Sequence, residues 1–342
     1  MNYRLLGRTG LKVSELCLGT MTFGSQFYKI GVVDQTGANA MVGRSLEAGI
    51  NFFDTADAYS FGESEETLGR ALKECKVRRD AVVVATKVLA PATQDAVGGK
   101  GGWNDRGLSR QHVIRGCENS LRRLGTDYID LFQVHGLDLL TPIEEPLRAL
   151  DDLVRQGKVI YAGCSNWPAR HLAKALCLAD ERNQARFVSL QAYYSLAGRD
   201  LEHELLPLCR EEGLAVLPWS PLSGGFLTGK YRREQQAPEG ARRSTFDFPP
   251  VDERVFDAID ALEAVARERG STIAQVALAW LLAQPGVTSV IIGANRMEQL
   301  EDNLKSTGVR LTAEEVERLS KTTAPRAFYP QWMVDRQNAG RV

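Results

Sequence analysis

Residues 128–163 read YIDLFQVHGLDLLTPIEEPLRALDDLVRQGKVIYAG. The opening run, 128–134, is short, continuous and mostly apolar, the pattern of a strand buried on both faces. Over 143–156 the apolar residues recur at helical spacing, and the pattern stops at Gly157. A second apolar run follows at 159–163. Strand, helix, strand in this order predicts a parallel βαβ unit. The unit recurs along the chain. Strand-like runs lie at 16–18, 51–53, 81–85, 128–134, 159–163, 187–191, 215–218 and 289–292. Helical patterns fall between and after them at 38–48, 64–73, 109–124, 143–156, 168–178, 201–212, 272–283 and 297–305. Ser109 is expected to cap its helix, Gly125 and Gly213 to end theirs, and Pro168 to sit in a first turn.

Eight such repeats predict an α/β fold, a closed (β/α)8 barrel, with an open doubly wound sheet as the alternative that shares the alternation. Residues 3–6 and 11–13, around Gly7-Arg-Thr-Gly10, predict a hairpin ahead of the first barrel strand. An extra helix is expected at 251–269, before the seventh regular one. Two long loops, 90–108 and 222–250, follow strands and so belong on the catalytic face. Together these parts account for residues 1–342 as one barrel domain.

Composition narrows the class. Lys plus Arg number 42 against 43 Asp plus Glu, so no basic excess points to nucleic acid or an anionic membrane. The six Cys form no CxxC pair, which suits reduced thiols in a cytoplasmic protein. The four His, at 112, 135, 171 and 203, make no HxH, HxxxH or HExxH pattern, and no metal is expected. The first residues lack the apolar core of a secretory signal. The most apolar late stretch, 274–294, is broken by Gln275, Gln284 and Pro285 and reads as a buried helix and strand, not a membrane span.

Chemistry-bearing groups cluster where the apolar strands end. One strand runs into Asp54-Thr-Ala-Asp57-Ala-Tyr59, the next ends Val84-Ala-Thr-Lys87, and the next Phe132-Gln-Val-His135. In a barrel these ends converge on one mouth. A free phenol releases its proton poorly near neutrality, a nearby ammonium stabilises the phenolate, and a buried ammonium needs a counter-charge. An imidazole can orient a carbonyl by a hydrogen bond. Taken singly, each residue has a plain structural reading: Asp54-Thr55 as a cap or turn, Tyr59 as packing, Lys87 as a loop charge, His135 as a core histidine. Four complementary groups ending three successive strands point to a proton donor.

These residues carry a resemblance. Asn51-Phe-Phe-Asp-Thr-Ala-Asp-Ala-Tyr-Ser-Phe-Gly-Glu-Ser-Glu-Glu-Thr-Leu-Gly-Arg-Ala-Leu72 resembles the first signature of the aldo-keto reductase superfamily. The likeness runs from Leu6-Gly-Arg-Thr-Gly-Leu-Lys-Val-Ser14 to Gln299-Leu-Glu-Asp-Asn303. It implies NADPH-dependent, metal-free carbonyl reduction in a (β/α)8 barrel. Asp54, Tyr59, Lys87 and His135 match the family tetrad. Tyr59 would be the general acid of reduction and, as phenolate, the base of alcohol oxidation. Lys87, held by Asp54, would tune it, and His135 would position the carbonyl.

The resemblance also implies a cofactor site. Ser165, Asn166 and Gln191 would hold the nicotinamide carboxamide, with Trp219 stacked on its ring. Ser220, Leu222, Gly224 and Lys230 would line the pyrophosphate region, and Asn295, Gln299, Asp302 and Asn303 would surround the adenosine. Asp302 stands where related branches carry Glu. Gly19, Thr20, Met21, Asp54, Pro221, Leu227, Ile292 and Gly293 complete the expected set. From the residues alone, no GxGxxG occurs, Gly98-Gly-Lys-Gly-Gly102 lacks P-loop spacing, and the segments 219–230 and 293–296 suit close approach to phosphate. Lys230, Arg242, Arg243 and Arg296 favour a 2′-phosphate, hence NADPH/NADP+. Arg232, Arg233, Arg242 and Arg243 also read as a solvated charge run.

Expected substrate walls are Phe23, Phe27, Tyr28, Trp103 and Trp167, with Met21 and the aromatic segment 327–333 as further candidates. Each also reads as loop packing. Glu63 either reaches substrate or charges a helix start. A small-molecule carbonyl compound is the expected partner, keto-sugars included, and homo-oligomerisation stays open. The late motif also resembles the β subunits of voltage-gated potassium channels, which implies a cofactor-sensing accessory role as the alternative. A metal-dependent hydrolase would need more strand-end ligands than His135.

Overall fold

A computed structural model describes residues 1–25, 32–98, 100–233 and 247–341. Strands β1 (Tyr3–Leu5) and β2 (Lys12–Ser14) form the antiparallel hairpin. The eight parallel strands follow: β3 (Leu16–Gly19), β4 (Phe52–Asp54), β5 (Val83–Val88), β6 (Ile129–Val134), β7 (Val159–Ser165), β8 (Phe187–Tyr193), β9 (Ala215–Trp219) and β10 (Val290–Ile292). They lie side by side in chain order, and β10 pairs with β3. The ring is joined at its last seam by a parallel bridge between Val216 and Val287, with Thr288 N donating to Val216 O at 2.9 Å. This is the barrel, not the open sheet.

The eight regular helices are α1 (Gln35–Glu47), α2 (Glu63–Glu74), α4 (Arg110–Leu124), α5 (Glu144–Arg155), α6 (Ala169–Glu181), α7 (Leu205–Glu212), α9 (Ile273–Leu282) and α10 (Met297–Lys305). A one-turn α3 (Gln94–Val97) interrupts the loop after β5, and the extra helix is α8 (Arg254–Arg269). The stops expected from sequence are in place. Ser109 accepts from His112 N at the start of α4, and Gly125, at φ 65°, ends it. Thr272 and Gln275 form a capping box on α9. Two helices went unread: α11 (Ala313–Thr322), opened by a Thr312–Glu315 capping box, and α12 (Gln331–Asn338), which buries no residue. No helix among the described residues is long and apolar enough to cross a membrane.

Strand alternation sorts side chains into two layers. Cys17, Phe52, Val83, Ala85, Leu131, Ala215, Leu217 and Ile291 fill the barrel interior, closed below by Leu6 and Val13 of the hairpin segment. Their strand neighbours Leu16, Leu18, Phe53, Val84, Phe132, Val216 and Ile292 face the helices. Arg4 fastens the hairpin to the seam, donating to Val287 O at 2.5 Å and Leu282 O at 2.8 Å. Outside, α2 crosses the end of α4 closely: a Cβ on Gly69 would lie 2.4 Å from Leu124 O, a backbone atom. Gly69→Ala is expected to cost about 1–3 kcal/mol, as overpacking does. Denaturant unfolding tests this, and a midpoint equal to wild type would contradict it.

Candidate active site

The alternation decides which strand-end groups face the mouth. Asp54 lies two residues beyond Phe52, Lys87 two beyond Ala85, and Gln133 two beyond Leu131. All three therefore stack above the interior apolar layer. Register sets Lys87 beside Gln133 and Asp54 beside Ala85, one interior position earlier, and the long Lys87 side chain spans that step. Lys87, fully buried, donates from Nζ to Asp54 Oδ1 at 2.5 Å and to Thr55 O at 2.7 Å. It lies 3.5 Å from the Tyr59 hydroxyl and 5.0 Å from the ring centroid. The other Asp54 oxygen accepts from Gln191 Nε2 at 2.8 Å and Gln133 Nε2 at 3.2 Å. Burial pushes the Lys87 ammonium down, but Asp54 and the Tyr59 oxygen outweigh it and leave its pKa above the ordinary value. His135 meets the Tyr59 ring edge-on at 5.7 Å. Burial, with Lys87 nearby, lowers its pKa to about 3, so the imidazole is neutral near pH 7.

A cavity of about 1280 Å³ opens from these groups along the ends of β9 and β10. Gly19, Thr20, Met21, Asp54, Tyr59, His135, Ser165, Asn166, Gln191, Trp219, Ser220, Pro221, Leu222, Gly224, Lys230, Ile292, Gly293, Asn295, Arg296, Gln299, Asp302 and Asn303 all line it. Asn166, at φ 56°, ties three strand ends together. Its amide N donates to Gln191 O, Nδ2 donates to His135 O at 3.0 Å, and Oδ1 accepts from Trp219 Nε1 at 3.1 Å. At the far end Gln299 Oε1 accepts from Asn295 N, and Asn303 Nδ2 donates to Gly293 O. Asp302 accepts from the Thr272 hydroxyl and from Gln275 Nε2 at 2.6 Å, so it braces α9 against α10.

Some expected residues lie elsewhere. Phe23 and Trp167 are buried in the layer between barrel and helices, Trp167 edge-on against Phe187, and neither lines the cavity. Leu227 packs in the same core. Trp103 is 98% exposed and stands off the cavity, and Phe328 of the carboxyl segment packs on His203. Glu63 accepts from Ser25 N at 2.8 Å and from its hydroxyl, fastening the first loop to α2. Arg232 pairs with Glu263, and Arg233 with Asp257 and Glu253, which is the solvated-charge reading. Phe27, Tyr28, Arg242 and Arg243 lie outside the described residues. Phe248 was not foreseen: it lines the cavity and stacks on Trp219 at 5.5 Å and 11°. Gln133 was also missed, although a polar residue inside an apolar strand was its signal.

The cavity wall carries polar groups and backbone that could hold a cofactor. The Ser165 hydroxyl is buried at the cavity without a hydrogen-bond partner. After β9 the chain turns tightly through positive φ at Ser220, Ser223, Gly224, Gly225 and Gly229, bringing backbone to the cavity wall. A Cβ on Gly225 would stand 3.3 Å from Lys230 Nζ. The Aldo/keto reductase family model matches residues 15–324. The chain belongs to the aldo/keto reductase family. This aldo/keto reductase is 40% identical over 319 residues to an uncharacterized oxidoreductase, YrpG, of Bacillus subtilis (strain 168), covering 92% of this chain and 93% of the relative. It is 37% identical to a probable voltage-gated potassium channel subunit beta of Oryza sativa subsp. japonica, over 93% and 95% of the two chains. It is 34% identical to a versiconal hemiacetal acetate reductase of Aspergillus parasiticus, over 96% and 99%. It is therefore an oxidoreductase barrel of that family.

Proposed function

We propose that this chain, working as one barrel unit in the cytoplasm, reduces aldehydes or ketones to alcohols with NADPH and Tyr59 as the proton donor. The observation that carries the reading is the buried Lys87, paired with Asp54 at 2.5 Å and 3.5 Å from the Tyr59 hydroxyl. When bound, the dihydronicotinamide supplies a hydride to the carbonyl carbon. Tyr59 gives its proton to the carbonyl oxygen as that oxygen gains charge. The phenolate left behind is stabilised by the Lys87 ammonium and is reprotonated from solvent. The neutral His135 donates a ring N–H to the same oxygen and fixes its direction. In reverse, phenolate takes the alcohol proton.

Ser165, Asn166 and Gln191 would hold the carboxamide, Trp219 the ring, and the 220–230 turn the pyrophosphate. Lys230 and Arg296 are the cavity-lining cations suited to a 2′-phosphate. Replacing Lys230 and Arg296 together by Met is expected to weaken NADPH roughly 10- to 100-fold and NADH far less, since only the phosphorylated ribose loses charge-assisted bonds. Equal losses in the two titrations would refute the assignment. The test of the whole reading is NADPH oxidation against aldehydes, ketones, quinones and keto-sugars. Similarity to a potassium channel subunit beta favours a second reading, a cofactor-sensing accessory protein. Tight NADPH binding with no turnover on any carbonyl would select it.

A further inference from the structure

The backbone just after Tyr59 is strained. Ser60, Phe61 and Gly62 have φ of 47°, 56° and 92°. Gly62 takes that conformation freely, but Ser60 and Phe61, two consecutive side-chain-bearing residues in the left-handed region, persist only where surrounding contacts over-determine them. Ser60 Oγ donates to Phe23 O of the loop after β3 at 3.3 Å, and further contacts come from outside the barrel. Gly62 packs on Arg123 of α4: a Cβ there would lie 2.6 Å from Arg123 Cδ and 2.8 Å from Nε. Arg123 Nε donates to Glu65 Oε2 at 2.6 Å, and Glu65 Oε1 accepts from the Thr86 hydroxyl at 2.5 Å. Glu65 and Thr86 are fully buried. Thr86 immediately precedes Lys87 on β5 and faces the helices, as Lys87 faces the mouth. One carboxylate thus ties the helix that follows the strained turn to the strand that carries Lys87. The close crossing at Gly69 brings Arg123 under that turn.

We propose that Glu65 and Arg123 are positioning residues for Tyr59, holding the strained turn so that its hydroxyl stays within reach of the Lys87 ammonium. Neither lines the cavity. The inference rests on Tyr59 being the proton donor. Helix packing alone would be served as well by an apolar pair of similar volume, because buried ion pairs are seldom net stabilising. The directional bonds from Arg123 and Thr86 instead fix the first turn of α2, where the strained turn ends. Asp57, on the same turn, is buried with one carboxyl oxygen lacking a hydrogen-bond partner. Burial, with Glu65 nearby, holds its pKa well above the carboxylate range.

The experiment compares Arg123→Met and Arg123→Lys in the full chain with a carbonyl substrate that the wild type reduces. It measures kcat, KM, NADPH Kd and the near-ultraviolet phenolate titration of Tyr59, taken as each protein minus its Tyr59→Phe counterpart. Among the described residues, the charged and titratable groups near Tyr59 include Lys87 of β5, Asp54 of β4 behind it, His135 beyond β6 and Asp57 on its own turn. Arg123→Met is expected to lower kcat roughly 10-fold or more while NADPH Kd stays within about twofold, since misplacement of the acid leaves cofactor binding intact. The phenolate should form at higher pH, and Arg123→Lys should recover part of both effects. Should Arg123→Met fail to fold, Gly62→Ala crowds the same guanidinium and is expected to shift kcat and titration alike. Wild-type kcat and titration in a folded Arg123→Met or Gly62→Ala protein would overturn the proposal. Failure of the underlying reading shows separately, as turnover that survives Tyr59→Phe.

Discussion

Tyr59→Phe is expected to abolish carbonyl reduction while NADPH titrations stay close to wild type. The substitution removes one oxygen and keeps the ring against His135. Lys87 retains Asp54 and Thr55 O as acceptors, so no buried charge is stranded. Loss of a positioned general acid lowers turnover by about 10²- to 10⁴-fold. Steady-state NADPH oxidation measures it, and unchanged turnover would remove Tyr59 from the mechanism. The pH dependence of the wild type has a definite sign. His135 has its pKa lowered to about 3 and contributes no limb between pH 5 and 8. With Tyr59 as the proton donor, reduction is expected to fall at high pH and alcohol oxidation to rise there.

Lys87→Met is expected to fail twice over. Turnover should be lost, because the ammonium that stabilises the phenolate is gone. Stability should fall as well, by about 3–5 kcal/mol, the cost of leaving a buried charge without its partner. Gln133 and Gln191, both neutral, remain as side-chain donors to Asp54. Urea unfolding measures the loss, and Lys87→Met combined with Asp54→Asn should regain part of it. A single variant as stable as wild type would mean that the pair is not the anchor of the site. The pH sense follows from the raised Lys87 pKa. Its contribution is complete below about pH 10.4, the free lysine value, and is lost as pH climbs through the folded value.

Much of this was legible because the barrel imposes period two on every strand. Once 81–85 reads as a buried strand, Lys87 must follow Ala85 onto the interior face, and Asp54 must follow Phe52. Phe23 and Trp167 show where that logic stops. A residue beyond a strand end has no fixed face, and large aromatic side chains gain more from the core than from a solvent-facing wall. Phe248 failed in the opposite sense. It reaches the site from the end of a long loop, where no periodicity constrains direction. Helix α11 carried a readable capping box at Thr312 and Glu315, whereas α12 buries nothing and left no apolar pattern to find.

The Arg4 fastening bears on how the chain comes to be a ring at all. Arg4 and its two acceptor carbonyls are 283 and 278 residues apart. The entropy of so long a closure grows only with the logarithm of length, but pairings of this separation are slow to be found. During synthesis Arg4 leaves the ribosome long before Leu282 and Val287 exist. Until they emerge the ring cannot close at that seam, and any sheet built by then would carry β3 and β9 as bare edges, the kind of surface on which neighbouring nascent chains pair and aggregate.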